Sequence, residues 1–301
     1  MKLGLVTTGG TIGSRKVDGV IKLSSAATDQ IASIVGADAV YDKVAIHSER
    51  IEFSDLSEVR RVIADALKSD HDGLIVTHGT DTLAFTSAYL AYAFCDTEIP
   101  IVMCSADLPL TERDSNGFDV LQSAKTFLPH SAPGVYVIYK NPGFTPTVHH
   151  AARLLPAHLH EHMYFSIGGD CVFNDTGLMH GMDFDIEGHK VLCISPYVGL
   201  DYSSFNLDGY SAVVQSAYHS GTVNSADFNR FAAAHPDIPM YMTAGRKKYD
   251  GQVFVKNVIQ CHGITQAALY IKLHIGLKNN VKDLTAFVHK NACGEIVTDK
   301  Y

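Results

Sequence analysis

The chain is 301 residues long, is 46 % apolar and carries a net charge of −8. A chain of this length provides for about two domains with sizeable cores. The acidic balance, a longest basic run of only Arg246-Lys247-Lys248 and the lack of an apolar stretch of membrane length exclude a nucleic-acid footprint and a membrane as expected partners.

Residues 2–7 form a short apolar run ending at Gly9-Gly10, which predicts a buried strand and a tight turn. That run is too short for the apolar region of a signal peptide. Ser54-Asp55 can cap a helix to about Lys68. Residues 73–77 predict a second buried strand, followed by a helix over 82–95 that Asp81 can cap. A strand over 100–104, a helix to about Phe127 capped by Asp114-Ser115, and a strand over 134–139 follow. Residues 178–189, with two glycines and three acidic residues, predict a linker. Beyond it, strands are expected at 190–194, 209–214 and 238–242, and helices at 224–234 and 263–276. Such alternation predicts an α/β fold with a mainly parallel sheet in a larger N-terminal domain, 1–178, and a smaller flavodoxin-like C-terminal domain, 190–301.

The six cysteines form no CxxC pair and predict free thiols in a reducing cytoplasm. His158-Leu159-His160-Glu161-His162 would bring three rings to one face of a strand. A closed zinc site usually needs a fourth ligand, so a solvated loop or strand edge is preferred. No metal and no cofactor are expected.

In an open α/β sheet, ligands bind beyond the carboxyl ends of the strands. Two loops at such ends carry threonines. Thr7-Thr8-Gly9-Gly10-Thr11-Ile12-Gly13-Ser14 lacks the GxGxxG spacing, and Ser14 to Ser24 resembles a hairpin, whereas a phosphate cradle needs a helix N-terminus. The glycines instead let the backbone pass close to a ligand. Val76-Thr77-His78-Gly79-Thr80-Asp81-Thr82-Leu83 opens a helix, whose amides favour a substrate carboxylate or an oxyanion. The competing account is that Thr80 or Asp81 only caps that helix.

The segments TTGGTIGS and IVTHGTDTLAFTSAYL resemble the two signatures of bacterial-type asparaginases and their glutaminase and amidotransferase relatives. His47-Ser48-Glu49, Ser105-Ala106-Asp107 and Ile264 to Leu273 extend the likeness, strongly over 1–127 and loosely beyond. The resemblance implies amide hydrolysis through a covalent step on a small amino acid, asparagine first. It implies Thr11 as nucleophile, Thr80 as second catalytic threonine and Asp81 as partner of the substrate amino group. Ser48 and Glu49 would hold the substrate ends, and Gly10, Gly79 and Ala106 would line the amide site. It also implies a homodimer or homotetramer, in which Gln215 to Asn224 reaches a neighbouring subunit's site. An ordinary strand-to-helix loop capped by Asn224 is the alternative.

Two departures stand out. The family's lysine beside the second threonine has no match, since no lysine occurs from Asn141 to His189. The family's loop tyrosine has none at Asp18-Gly19-Val20-Ile21. His149 or His150 can replace the lysine, Lys140 can reach in from its strand end, or the protein binds an amino acid or acidic metabolite with little hydrolysis, as a sensor or regulatory subunit. Of the histidines, His150 is placed in the site.

Overall fold

The computed structural model describes residues 1–157, 162–244 and 252–298. Its first half is built on β1 (Leu3–Thr7), β2 (Ser14–Val17), β3 (Val20–Leu23), α1 (Ser25–Val35), β4 (Ala39–Tyr41) and α2 (Phe53–Ala66). β5 (Gly73–Thr77), α3 (Leu83–Ala93), β6 (Pro100–Cys104), α4 (Gly117–Phe127), β7 (Gly134–Tyr139) and β8 (Thr147–His150) complete it. The sheet order is β4-β1-β5-β6-β7-β8, parallel except for the antiparallel β7–β8 pair. β2 and β3 form the separate hairpin that the loop composition predicts, turning at Asp18-Gly19.

Both faces of this sheet are covered, so its strands read as continuous apolar runs and not as alternation. Leu3, Leu5, Ile75 and Val102 pack with Ile31 and Val35 of α1 and Val120 and Leu121 of α4. Their neighbours Val6, Val76 and Met103 pack on the other face with Val59, Val62 and Ile63 of α2 and Leu90 of α3. A wholly buried side chain of this kind contributes roughly 1.5–3 kcal/mol.

The second half consists of β9 (Val191–Ile194), β10 (Ala212–Ser216), α5 (Ser225–Ala234), β11 (Met240–Ala244), β12 (Val258–His262), α6 (Gln266–Lys278) and α7 (Leu284–His289). Its sheet, β12-β11-β10-β9, is parallel throughout. α5 covers one face through Phe228 and Phe231. α6 covers the other and shares its core with α3, where Tyr92 Oη donates to the Ala268 carbonyl at 3.3 Å. Helices buried on nearly every side, as α3 and α6 are, belong to an interior layer. The expected α/β class with mainly parallel sheets is observed.

Residues 178–189 contain no helix or strand, as their composition predicts. β10 begins at Ala212 and not at Gly209, because Gly209 turns the chain with φ 78°. α1, β4, β8, β12 and α7 are additions to the sequence expectation. In the histidine-rich segment, residues 158–161 lie outside the described residues.

Candidate active site

β1 and β5 are neighbours in register, with Thr7 opposite Thr77, so the loops that follow them leave the sheet at one edge. The Thr8 hydroxyl donates to the Thr77 carbonyl at 2.6 Å and ties the two exits together. On the other side of β1, a bridge pairs Gly9 with Ile46, and Ile46 N donates to the Thr8 carbonyl at 2.8 Å. That extension brings the 3-10 turn Ser48–Arg50 to the same edge.

The loops then touch. Gly10 has φ 73°, a conformation L side chains rarely adopt, and a Cβ there would sit 2.3 Å from Gly79 N. A Cβ on Gly79 would sit 2.3 Å from Ser48 Oγ. The glycines between the sheet and the threonines therefore let the two threonine loops meet backbone to backbone, with the Ser48 side chain packed against Gly79. Thr11 opens a single 3-10 turn, held by Gly13 N to the Gly10 carbonyl at 3.1 Å and Ser14 Oγ to the same carbonyl at 2.7 Å. Thr11 and Thr80 are both partly exposed at this edge, Ser48 and Gly79 are buried, and Asp81 is exposed.

Asp81 does not cap α3. The residue before α3 is Thr82, without a side-chain capping bond, and Thr82 Oγ1 donates to the Ser48 carbonyl at 2.9 Å. The Asp81 carboxylate accepts from Ser48 Oγ at 2.7 Å. A carboxylate and a hydroxyl from two loops thus converge beside the two threonines, an arrangement suited to a small zwitterion. Next to it, Ser105 Oγ and Asp107 Oδ1 beyond β6 are buried with no hydrogen-bond partner among the described residues. Ala106 lies wholly buried between them and touches the start of α4 at Gly117.

The family model "Asparaginase, N-terminal" matches residues 2–166. The chain belongs to the asparaginase family. An L-asparaginase of Thermococcus kodakarensis is 36% identical over 145 residues, covering 46% of this chain and 44% of that protein. One of the subunits forming the glutamyl-tRNA(Gln) amidotransferase of Nanoarchaeum equitans is 41% identical over 110 residues, covering 35% of this chain and 28% of that protein. The aligned stretches thus span less than half the length of these two relatives. In fold the likeness runs through the whole chain. The thermostable L-asparaginase from Thermococcus kodakarensis superposes with a TM-score of 0.78 at 24% identity, covering 99% of this chain and 100% of that one. L-asparaginase I from Vibrio cholerae gives 0.75 at 19% identity, covering 99% of each chain.

Within this asparaginase fold, one residue that the sequence did not single out reaches the threonine loop. Tyr164 is buried, and its hydroxyl donates to the Thr80 carbonyl. Burial first, then the neighbouring Tyr139 and the Asp81 charge, push its acidity well above that of a free phenol, so it stays a donor. Two bonds clamp its backbone to Asn141, Tyr164 N to Oδ1 at 2.8 Å and Nδ2 to the Tyr164 carbonyl at 2.9 Å. The Tyr139 ring meets it edge-on at 4.7 Å. No local pattern in the sequence marks this contact, which spans 84 positions.

The candidates for the missing base are engaged elsewhere. His150 Nε2 faces the Cys293 carbonyl at 3.1 Å, its Nδ1 accepts from Ala152 N at 3.2 Å, and its ring stacks on Phe173. His149 Nδ1 bonds Ser166 Oγ at 2.9 Å. Burial pulls both imidazoles down to about 4. The Lys140 ammonium pairs with Asp119 of α4. Glu49 turns outward beside Arg50, with 3.9 Å between their charged groups. In the 215–224 segment, Asn224 caps α5 by accepting from Asp227 N at 3.4 Å, and Ser220 Oγ lies 2.8 Å from Thr222 Oγ1.

A cavity of about 660 Å³ lies away from the threonine loops, lined by Ile51, Phe53, Phe85, Val191 and Tyr270. Its lining also includes Glu52 and Glu187, but no residue of either threonine loop. The convergent polar groups lie at the sheet edge.

Proposed function

We propose that this chain hydrolyses the side-chain amide of a small amino acid, asparagine before glutamine. The observation that carries the proposal is the Ser48–Asp81 pair, held at 2.7 Å against the contact of the two threonine loops. Asp81 receives the substrate ammonium and Ser48 its carboxylate, with Glu49 at the rim. Thr11 Oγ attacks the amide carbon, the C–N bond breaks, and ammonia leaves with the hydroxyl proton. Water then opens the threonine ester, giving aspartate and free Thr11. Thr80, the amides of Gly10 and Gly79, and the wall at Ala106 surround the tetrahedral oxygen, where one preorganised donor is worth about 2.7–4 kcal/mol.

A second reading rests on the histidines. With His149 and His150 buried and bonded elsewhere, general-base help worth about 10² to 10⁴ in rate is missing. The site then serves chiefly to bind an amino acid or acidic metabolite, as a sensor or regulatory subunit. Ammonia release from a panel of amides, beside calorimetric binding of the same ligands and of aspartate, tests both readings. Turnover of asparagine supports the first, and binding without turnover supports the second. Neither binding nor turnover of any amide defeats both.

We propose two units, 1–178 and 190–301, built on the two sheets, and a homodimer or homotetramer in which residues 216–224 approach the Asp81 of a second copy. Light scattering at micromolar concentration checks the assembly, and a monomer refutes it. The six free cysteines fit a reducing cytoplasm as the place of action.

A further inference from the structure

We propose that Cys95, Asp175 and His180 form a binding site for a thiophilic divalent cation of the zinc class, tying the far end of α3 to the segment that joins the two sheets. The site is separate from the threonine loops, and nothing in it depends on the hydrolytic proposal.

Each of the three residues offers one donor atom, and these atoms all lie within 4.8 Å of one another. Asp175 stands in the middle. Its Oδ2 is 2.7 Å from His180 Nε2, and its Oδ1 is 3.7 Å from Cys95 Sγ. Tetrahedral zinc with bonds of about 2.0 Å to N and O and about 2.3 Å to S separates its ligands by roughly 3.3–3.5 Å. The observed spacings bracket that value, so small rotations of the side chains admit the ion. Among the described residues this is the only His/Cys/Asp/Glu group so gathered.

The donors are also pre-positioned. Asp175 Oδ1 accepts from Gly177 N at 2.8 Å, and His180 N donates to the Gly177 carbonyl at 3.2 Å, so two successive turns present Asp175 and His180 together. Thr176 anchors that loop, with N donating to the Ala292 carbonyl at 3.1 Å and Oγ1 donating to the Asn291 carbonyl at 2.9 Å. Cys95 follows α3 directly, beyond its end at Phe94. Thiolate, imidazole and carboxylate together select zinc or cobalt over magnesium or calcium, which prefer all-oxygen sites. On binding, the Cys95 S–H bond gives way to a metal–sulfur bond and the proton passes to solvent. The fourth position is left to water, since His180 is 51% exposed.

The test is titration of the intact chain with Co²⁺, read by its thiolate-to-metal absorption band, and with Zn²⁺, read by thermal unfolding and calorimetry. The expected result is one band per chain, a rise in Tm with Zn²⁺, and a loss of affinity in Cys95→Ser and His180→Asn of at least about tenfold, the effect of even an outer partner. His180→Asn changes an exposed side chain and keeps the comparison valid if Cys95→Ser folds poorly. No cobalt–thiolate band in the wild type overturns the site. So does a band or Zn²⁺ affinity unchanged in both variants, which would place the metal on other histidines or cysteines.

Discussion

The buried hydroxyl of Tyr164 is bonded to the backbone carbonyl of Thr80, so the loop that opens α3 is held from behind by a phenol. Its neighbours hold Tyr164 in turn, through the paired bonds to Asn141 and the edge contact with Tyr139. The Thr80 loop is therefore positioned by a chain of contacts that runs from its carbonyl through Tyr164 to Asn141.

Tyr164→Phe removes one of two donors to the Thr80 carbonyl, the other being Leu83 N at 3.3 Å, which costs about 0.5–1.5 kcal/mol of stability. A loosened Thr80 loop should also lower kcat by about tenfold, equivalent to about 1.4 kcal/mol, with KM nearly unchanged. Steady-state ammonia release and thermal unfolding check this. An unchanged kcat with the same loss of stability would make the phenol a packing element only.

Ser48→Ala removes the hydroxyl that donates to Asp81 at 2.7 Å. A hydrogen bond to a charged group is worth about 1.5–3 kcal/mol, so substrate affinity should fall by about tenfold or more while kcat changes less. Calorimetric titration with aspartate reads the affinity directly. Unaltered binding would remove Ser48 from the site.

His78, His149, His150 and His274 are buried, and burial pulls each from 6.5 down to about 4. Between these values the unfolded chain binds protons that the folded chain refuses. Stability is thus complete above pH 6.5 and is lost as the pH falls towards 4, by on the order of 1–3 kcal/mol per histidine. Urea midpoints at pH 7.5, 5.5 and 4.5 should decline in that order, and His149→Gln should flatten the decline. A midpoint that holds steady through this window contradicts the assignment.

Lys272 and Glu295 form a fully buried ion pair at 2.6 Å. Both Glu295 oxygens also accept from Ala292 N, at 3.0 and 2.9 Å, and Oε2 accepts from Cys293 N at 2.9 Å. Lys272→Met leaves a buried carboxylate without its cation and should cost about 3–5 kcal/mol. Chemical denaturation measures it. A loss below about 1 kcal/mol would mean that the two amides suffice to hold the charge.

The parts of the site that follow strand ends were legible in the sequence. Thr11 and Thr80 each lie a few residues past an apolar run, and Gly9, Gly10 and Gly79 announce backbones that pass closely. The hairpin at Asp18-Gly19 was legible for the same reason, since φ 52° and 78° suit Asp and Gly. β4 was not, because its three residues are too few to show a period and none is fully buried. β8 reads Thr-Val-His-His, and only its pairing with β7 makes it a strand. α1 is legible as well, with Ala27, Ile31 and Val35 spaced as one helix face. Tyr164 stayed hidden because its position depends on Asn141, 23 positions away in a separate loop.

The meeting of Gly10 with Gly79 and Ser48 has a consequence for anyone seeking new substrates in this scaffold. Any side chain at position 10 strikes Gly79 N, and any at position 79 strikes Ser48 Oγ, both at 2.3 Å. A mutant library that varies these positions is spent on chains that do not assemble the site. Diversity is better placed on the hairpin, where Val17, Val20 and Ile21 stand 45–56% exposed.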